Sequence, residues 1–361
     1  MQTEQSDRTK QVLLTVSGTI PQDLPAQIAG GQRPRADYLE LARGLKADIL
    51  DYTKARTVVG GLAPVLERLG GANLVLAYAC WKLRSQYRLI LTDGEQIGLP
   101  LAALMKVTPG YRPRHFMITH IISVPKKALI LDVLRLHSQI DGFIVYSRWQ
   151  KRFIKDRWRL DDSRVLFTPF MVDDQFFAPG KVEPKSSPRP LICAVGLERR
   201  DYPTLLKSVE GLDLDLVIAA ASPWSKRKDS TTGQHIPGNV TVRKFDQYAL
   251  RQLYADARFV VMPLEPVDFQ AGVTAILEAM AMGKAVICSR VPGQTDVIVD
   301  NENGRYVPVG DASALREEIS RLLAEPEDAA RLGNNGRRLV ENEMNLDHYV
   351  NRLANFLNAV P

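Results

Sequence analysis

The chain has 361 residues, of which 45% are hydrophobic and 24% are charged, and its formal net charge at pH 7 is +6. This length exceeds what one hydrophobic core usually supports, so we expect two domains. No stretch approaches the ~18 apolar residues of a membrane span, and the polar start MQTEQSDRTK is unlike a secretory signal. These features favour a cytoplasmic protein and exclude transmembrane and secreted disulfide-rich classes.

Three cysteines, Cys80, Cys193 and Cys288, are far apart in the chain and odd in number. Such usage favours a reducing compartment, where cysteines pack in the core more often than they form disulfides or metal sites.

The first half of the chain alternates strand and helix patterns. Strands are predicted at 12–17, 87–92, 115–120, 142–147 and 165–168, and helices at 36–50, 99–106, 126–136 and 148–158. Alternating elements of this kind predict a parallel sheet that is covered on both faces.

The second half repeats the alternation. Strands are predicted at 191–196, 214–220, 240–243, 258–262 and 285–289, and the chain becomes mostly helical after residue 311. The polar, proline-rich segment PGKVEPKSSPRP at 179–190 is the best candidate for the linker between the two halves. We therefore predict two doubly wound α/β domains, 1–180 and 190–345, facing across a cleft. Their ligands should bind at the carboxyl ends of the strands.

The most informative stretch follows the strand 258–262. A loop that contains Gly272 leads into a helix predicted at 275–282, with Thr274 as its N-cap and Gly283 as its stop. The unpaired amides and the positive dipole of a helix start favour an anion, and Glu278 lies one turn into the helix. The pattern also fits an ordinary βαβ unit whose loop binds nothing.

Residues 270–283, QAGVTAILEAMAMG, and the following KAVI resemble the signature of retaining GT-B glycosyltransferases of the family-4 type, the glycosyl transferases group 1. In that family two glutamates flank seven residues, and the second one binds the ribose hydroxyls of the sugar nucleotide. The second glutamate corresponds to Glu278, whereas Gln270 stands at the first position. The resemblance also implies that the donor contacts the loop and helix start at Gly272, Val273 and Thr274, and that the last helix, 346–358, packs back on the first domain.

Two arginines, Arg199 and Arg200, follow the strand 191–196. Guanidinium groups at a strand end can neutralise a diphosphate and stabilise it as it leaves. The resemblance supports this role, since the family commonly has a glycine–arginine pair and a lysine there. The alternative is a solvated pair that bridges Glu198 or Asp201.

Further candidates lie in the first half. His120 ends a strand, and the family often has a histidine there, near the donor sugar; a structural histidine is the alternative. Gly30 and Gly31 resemble the family's glycine loop near the donor phosphate, although such pairs are common in plain turns. Asp93 and Glu95 either line the acceptor side or cap the following helix.

Charge is uneven, with a net of +8 in residues 1–180 and −2 in the remainder. The helix 148–158 carries basic residues together with Trp149, Phe153 and Trp158. It could rest on anionic lipid, or it could be a solvated helix whose aromatic side chains pack inward. Nucleic-acid binding is a poorer interpretation, because no nucleic-acid module accompanies the charge.

The resemblance implies a hexosyltransferase of cell-envelope glycan biosynthesis. It would move a hexose from a nucleoside-diphosphate sugar to a hydroxyl acceptor such as a glycolipid, polysaccharide or small glycoside. No acidic metal clamp is evident, so we expect no cofactor and no metal requirement, and peripheral binding on the cytoplasmic membrane face would suit a lipid-linked acceptor. Two rivals are a non-catalytic sugar-nucleotide-binding subunit, favoured by Gln270, and a GT-B sugar-nucleotide epimerase.

Overall fold

A computed structural model describes residues 10–220, 231 and 235–358. These residues divide into two compact units. The first holds 10–25, 36–168 and 350–358, and the second holds 26–35 together with the described part of 169–349. Each unit is built on one six-stranded sheet.

In the first unit all the strands run parallel, in the order β2-β1-β3-β4-β5-β6. They are β1 Lys10–Thr15, β2 Asp48–Leu50, β3 Tyr87–Thr92, β4 Arg114–Thr119, β5 Gly142–Val145 and β6 Val165–Phe167. The helices are α1 Leu24–Ala29, α2 Asp37–Leu45, α3 Tyr52–Val59, α4 Ala63–Leu83, α5 Glu95–Val107, α6 Pro125–Val133 and α7 Arg148–Trp158. Helix α4 is interrupted at Gly70 and Gly71, whose backbone angles are not helical.

The second unit has the strand order β12-β11-β10-β7-β8-β9, again all parallel. Its strands are β7 Leu191–Val195, β8 Asp215–Ala219, β9 Val240–Arg243, β10 Phe259–Met262, β11 Ala285–Ser289 and β12 Arg305–Val307. The helices are α8 Tyr202–Val209, α9 Gln247–Asp256, α10 Val273–Ala281, α11 Ala312–Ala324, α12 Pro326–Leu339 and α13 Leu346–Asn358. Helix α13 begins in this unit, and its residues from 350 onwards belong to the first.

Burial on both faces of the sheet explains the unbroken apolar runs of the strands. In β10, Val260 and Met262 join one core cluster, whereas Phe259 and Val261 join the cluster on the opposite face. The predicted α/β class with two parallel sheets is confirmed. The three cysteines are free and buried in these cores, as predicted.

The helix predicted at 36–50 is wrong in its second half. Helix α2 ends at Leu45, because Lys46 adopts a left-handed conformation with φ of 50°. The following residues form β2, which pairs with Leu13 to Thr15 of β1. Strands β2 and β12, of three residues each, were not predicted.

The unit boundaries differ from the predicted domain limits, 1–180 and 190–345. Residues 26–35 belong to the second unit because Arg35 is held there by two carboxylates. Its Nε lies 3.0 Å from Asp173 Oδ1 and its Nη1 lies 2.8 Å from Asp347 Oδ1. The middle segment of the first unit ends at Thr168, before the proline-rich segment.

Within the described residues, no helix is long and apolar enough to cross a membrane. The N-terminal segment that was compared with a secretory signal lies outside the described residues, except for its last residue.

The packing of α12 on the second sheet gives a test of the core. A Cβ added to Gly333 would lie 2.1 Å from the carbonyl oxygen of Gly283, which is backbone and cannot rotate away. We expect Gly333→Ala to lower the free energy of unfolding by about 1–3 kcal/mol in urea titrations. Gly238→Ala, where no atom lies within 4 Å of the added Cβ, is the matched control, and equal stability of the two variants would contradict this packing.

Candidate functional site

The second sheet has a topological switch point between β7 and β10. From β7 the chain continues to β8 and β9 on one side, whereas β10 leads to β11 and β12 on the other. The loops after β7 and β10 meet there, because Arg200 and Leu264 form a β-bridge and the Glu265 amide donates to the Arg199 carbonyl at 2.9 Å. Ligands of doubly wound sheets bind at such points.

Arg200 is fixed at this switch point. Its side chain donates from Nε to the Val195 carbonyl at 2.8 Å and from Nη1 to the Glu198 carbonyl at 2.6 Å, and the residue is only 4% exposed. Burial lowers the pKa of this guanidinium, which nevertheless stays charged because its usual pKa is so high. The structure therefore holds a positive charge at the switch point.

Two glycines make room for that charge. A Cβ on Gly196 would come within 2.5 Å of Arg200 Nη2, and one on Gly272 within 3.0 Å of the same atom. Both glycines have positive φ, 100° and 79° respectively, which side chains rarely adopt. Gly196, Arg200 and Gly272 are therefore packed together, although Gly272 is far along the chain from the other two.

Arg199 behaves differently from its neighbour. It is in the left-handed region with φ of 57°, and its Nη1 lies 3.2 Å from Glu265 Oε2, while its Nε is buried without a hydrogen-bond partner. Asp201, one of the two acids considered as partners of this arginine pair, caps α8 by accepting from the Thr204 amide at 3.2 Å. Arg199 is therefore held by a carboxylate, whereas Arg200 is held by backbone carbonyls.

Helix α10 starts earlier than predicted. Gly272, not Thr274, is the N-cap, because its left-handed conformation ends the loop there, and the helix runs from Val273 to Ala281. No side chain caps the first turn. The amides of Val273 and Thr274 thus belong to an uncapped helix start beside Arg200, an arrangement that favours an anion.

Gln270 presents an amide whose two polar atoms, Oε1 and Nε2, are buried without a hydrogen-bond partner. The loop that carries Gln270 contacts the segment after β11. Gln294 Nε2 of that segment donates to the Ala271 carbonyl at 3.1 Å, and Gly293 packs against the backbone of Phe269. An unsatisfied buried amide costs free energy, about 1–3 kcal/mol, which a hydroxyl-bearing ligand would recover. No sequence pattern pointed to Gly293 or Gln294.

Glu278 lies in the second turn of α10 and is 6% exposed. Burial raises its pKa to about 7, although the hydrogen bond from the Tyr254 hydroxyl, 2.8 Å from Oε2, opposes the shift. Tyr254, from α9, was not a candidate, because nothing in the sequence connects it with Glu278.

In the first unit, His120 follows β4 and is exposed. Its Nε2 lies 3.0 Å from the carbonyl oxygen of Asp93, so this nitrogen carries a hydrogen and Nδ1 of the neutral ring is left to accept one. The Asp93 carboxylate accepts hydrogen bonds from Thr15 and Ser17, which joins the ends of β1 and β3 at the switch point of this sheet. The role of His120 towards a sugar stays a prediction.

Glu95 is the first residue of α5 and is buried. Its Oε1 accepts from the amides of His120 and Ile121 at 2.9 and 2.6 Å. It therefore anchors the loop that carries the histidine.

Gly30 and Gly31 belong to the second unit and follow the short helix α1, whose residues from 26 onwards also belong to that unit. The Gly30 amide donates to the Ala26 carbonyl at 2.9 Å, and Gly31 is left-handed with φ of 66°. Local geometry explains both glycines as the end of a helix, and their donor role stays a prediction.

Helix α7 directs part of its aromatic surface inward. Trp158 is buried and Phe153 packs against the same core, while Lys151 and Lys155 both pair with Asp162 at 2.9 Å. These contacts favour the solvated-helix interpretation of α7. Among the described residues, no three His, Cys, Asp or Glu side chains are grouped as metal ligands would be.

Comparisons with known proteins agree with this geometry. Residues 181–339 match the family model described as Glycosyl transferases group 1. The capsular polysaccharide biosynthesis glycosyltransferase CapM of Staphylococcus aureus is 37% identical over 67 residues, which are 19% of this chain and 18% of CapM. The chain thus spans less than a fifth of the length of this curated relative.

Two solved structures match over nearly the whole chain. Sucrose-phosphate synthase from Thermosynechococcus elongatus has a TM-score of 0.73 at 19% identity, covering 97% of this chain and 99% of its own. Anabaena Alr3699/HepE, solved in complex with UDP-glucose, has a TM-score of 0.69 at 13% identity, covering 97% and 100%.

The two parallel sheets and the likeness to these neighbours show that the chain has the GT-B fold. Residues 181–339, which hold the switch point and α10, are the part of the chain that is similar to the glycosyl transferases group 1.

The raised pKa of Glu278 predicts a pH dependence of stability. Its pKa is about 7 in the folded chain against a usual 4.5, so between these values the unfolded chain releases the proton and the folded chain keeps it. The stability due to Glu278 is fully present below pH 4.5, falls as the pH rises to 7 and then stays constant, a loss of about 3 kcal/mol. We expect Glu278→Gln to remove this loss in urea titrations between pH 4.5 and 8.

The exposed Glu327 of α12 offers the control substitution, Glu327→Gln, which should leave the profile unchanged. Parallel profiles for wild type and Glu278→Gln would show that Glu278 is ionised in the folded chain.

Proposed function

We propose that the protein is a retaining glycosyltransferase that moves a hexose from a nucleoside-diphosphate sugar to a hydroxyl acceptor. One observation carries the proposal: a fixed cation, Arg200, lies beside the uncapped start of α10 at the switch point of the second sheet. A buried positive charge together with free helix amides is suited to a diphosphate.

In this proposal, each part of the donor is bound by different residues. Arg200 and the amides after Gly272 hold the diphosphate, and Arg199 joins them when it leaves Glu265. Glu278, backed by Tyr254, accepts hydrogen bonds from the ribose hydroxyls. The unsatisfied amide of Gln270 takes a hydroxyl of the sugar.

In the transfer step, the bond between the sugar C1 and the diphosphate oxygen breaks, and the diphosphate keeps the electron pair. Arg199 and Arg200 stabilise the negative charge that develops there, and stabilisation of such charge is commonly the largest catalytic contribution. The acceptor hydroxyl forms the new bond on the same face of the sugar and passes its proton to the departing diphosphate oxygen, so the anomeric configuration is retained. His120, whose Nδ1 can accept a hydrogen bond, contacts a hydroxyl of the sugar.

The comparisons guide the choice of substrates. HepE was solved with UDP-glucose, and the name of CapM places it in capsular polysaccharide synthesis. We therefore propose a UDP-hexose donor and an acceptor from cell-envelope glycan synthesis, with a glycolipid acceptor reached at the cytoplasmic membrane face.

A second candidate is a non-catalytic subunit that binds the sugar nucleotide, and Gln270 is the observation that favours it. A neutral amide lacks the charge of the family's glutamate and stabilises a developing positive charge on the sugar less well. An epimerase would differ from both of these candidates, because it would convert the sugar nucleotide when no acceptor is present.

Donor binding should be visible as thermal stabilisation, because a ligand that binds only the folded chain raises its melting temperature. We expect a UDP-hexose at 100 times its dissociation constant to add about 2.7 kcal/mol. Glu278→Ala and Arg199→Ala should reduce the shift at the same concentration, since each removes a contact with the nucleotide. Binding would be measured by differential scanning fluorimetry against a panel of nucleoside diphosphates and their sugars.

Arg338→Ala, which removes an exposed arginine of α12, is the matched control and should keep the full shift. No shift with any nucleotide sugar would contradict the donor site. A normal shift without transfer to any glycan acceptor would favour the non-catalytic subunit.

We further expect transfer to proceed without a divalent metal, because the guanidinium groups and helix amides already supply positive charge at the diphosphate. Initial rates with excess EDTA should stay within about twofold of the untreated rate. Loss of activity with EDTA that Mg²⁺ or Mn²⁺ restores would contradict this.

A further inference from the structure

Helix α6 is apolar on both of its sides. Ala128 and Leu131 are buried against the first unit. Leu129, Ile130 and Val133 are 59%, 44% and 70% exposed. Exposed apolar side chains that are grouped on one side of a helix mark a surface that binds a protein or a membrane.

The exposed side chains form one stripe. At 100° per residue, Leu129 and Val133 lie one above the other, as do Ile130 and Leu134, and Lys126 falls between the two rows. The end of α5 extends the stripe, because Lys106 Nζ donates to the Leu134 carbonyl at 2.7 Å. The neighbouring Val107 is 76% exposed. We call these residues the α6 stripe: Val107, Leu129, Ile130, Val133 and Leu134.

The surroundings of the stripe are strongly basic. Residues 106–159 contain twelve Lys and Arg against three Asp and no Glu, a net of +9. Lys126 and Arg135, on or next to α6, are exposed. Other basic residues of this segment are paired with carboxylates: Lys127 with Glu95, Arg112 with Asp141, Arg157 with Asp132, and both Lys151 and Lys155 with Asp162.

We propose that the α6 stripe inserts into the surface of an anionic lipid bilayer, with Lys126, Arg135 and Lys106 at the level of the head groups. A helix in a bilayer surface buries an apolar face while flanking cations attract anionic lipid. A second copy of the chain is a poorer occupant, because two surfaces with this charge would repel each other. The proposal rests on the proposed function, in which a membrane-bound acceptor makes such docking useful, and it places the docking surface on α6 rather than α7.

The test is binding of the full-length protein to vesicles, measured by flotation without any donor or acceptor. We expect binding to vesicles with 30% phosphatidylglycerol and at least tenfold weaker binding to pure phosphatidylcholine. The double variant Leu129→Ser/Val133→Ser should lose at least tenfold, since it removes two of the inserted side chains. Lys126→Ala/Arg135→Ala should lower binding and its salt sensitivity.

Leu69→Ser is the matched control, because Leu69 on α4 is 75% exposed and lies outside the stripe. It should bind vesicles as wild type does, and so should the donor-site variant Glu278→Ala. The last result separates the two proposals, since docking survives there even if sugar transfer fails.

Two results would overturn the inference. One is unchanged vesicle binding of Leu129→Ser/Val133→Ser when circular dichroism shows it folded. The other is a dimer in light scattering that this same variant dissociates, which would make the stripe an interface between copies.

Discussion

The placement of Arg200 between Gly196 and Gly272 is the constraint on which the second unit depends. A guanidinium needs hydrogen-bond acceptors when it is buried, and here the carbonyls of the loop after β7 supply them. The glycines leave the space that the guanidinium fills, and their positive φ angles turn both loops around it. The end of β7, the loop after β10 and the start of α10 are thereby fixed together, so the charge and the free amides reach one place.

Most of the fold could be predicted because its strands and helices are recognisable from short stretches of sequence. Buried parallel strands such as β10 and β11 are runs of Val, Ile and Ala, and a helix such as α7 shows its period within eleven residues. Strand β2 could not be predicted in this way, since its three residues form a strand only because Lys46 turns the chain and β1 offers an edge. The assignment of residues 26–35 to the second unit likewise depends on Asp173 and Asp347, which are distant in sequence.

The candidate site, like the fold, could be predicted from the sequence only in part. The signature from Gln270 to Gly283 identified the loop and α10, and Arg199 and Arg200 were recognised as a pair. Their different environments were not foreseeable, because one contacts backbone carbonyls and the other Glu265. Tyr254 and Gln294 support the site through contacts whose sequence separations, 24 and 23 residues, follow no period.

The interleaving of the two units has a consequence for how the chain is made. The first unit includes residues 350–358, and the second includes residues 26–35, so neither is complete until almost the whole chain has been synthesised. Domains generally fold as they leave the ribosome, amino-terminal first, but here the earliest segment must wait for α13. The first sheet, whose six strands all precede residue 168, would meanwhile lack the cover that Phe356 of α13 gives to Phe116. The nascent chain would then expose apolar surface that chaperones can bind.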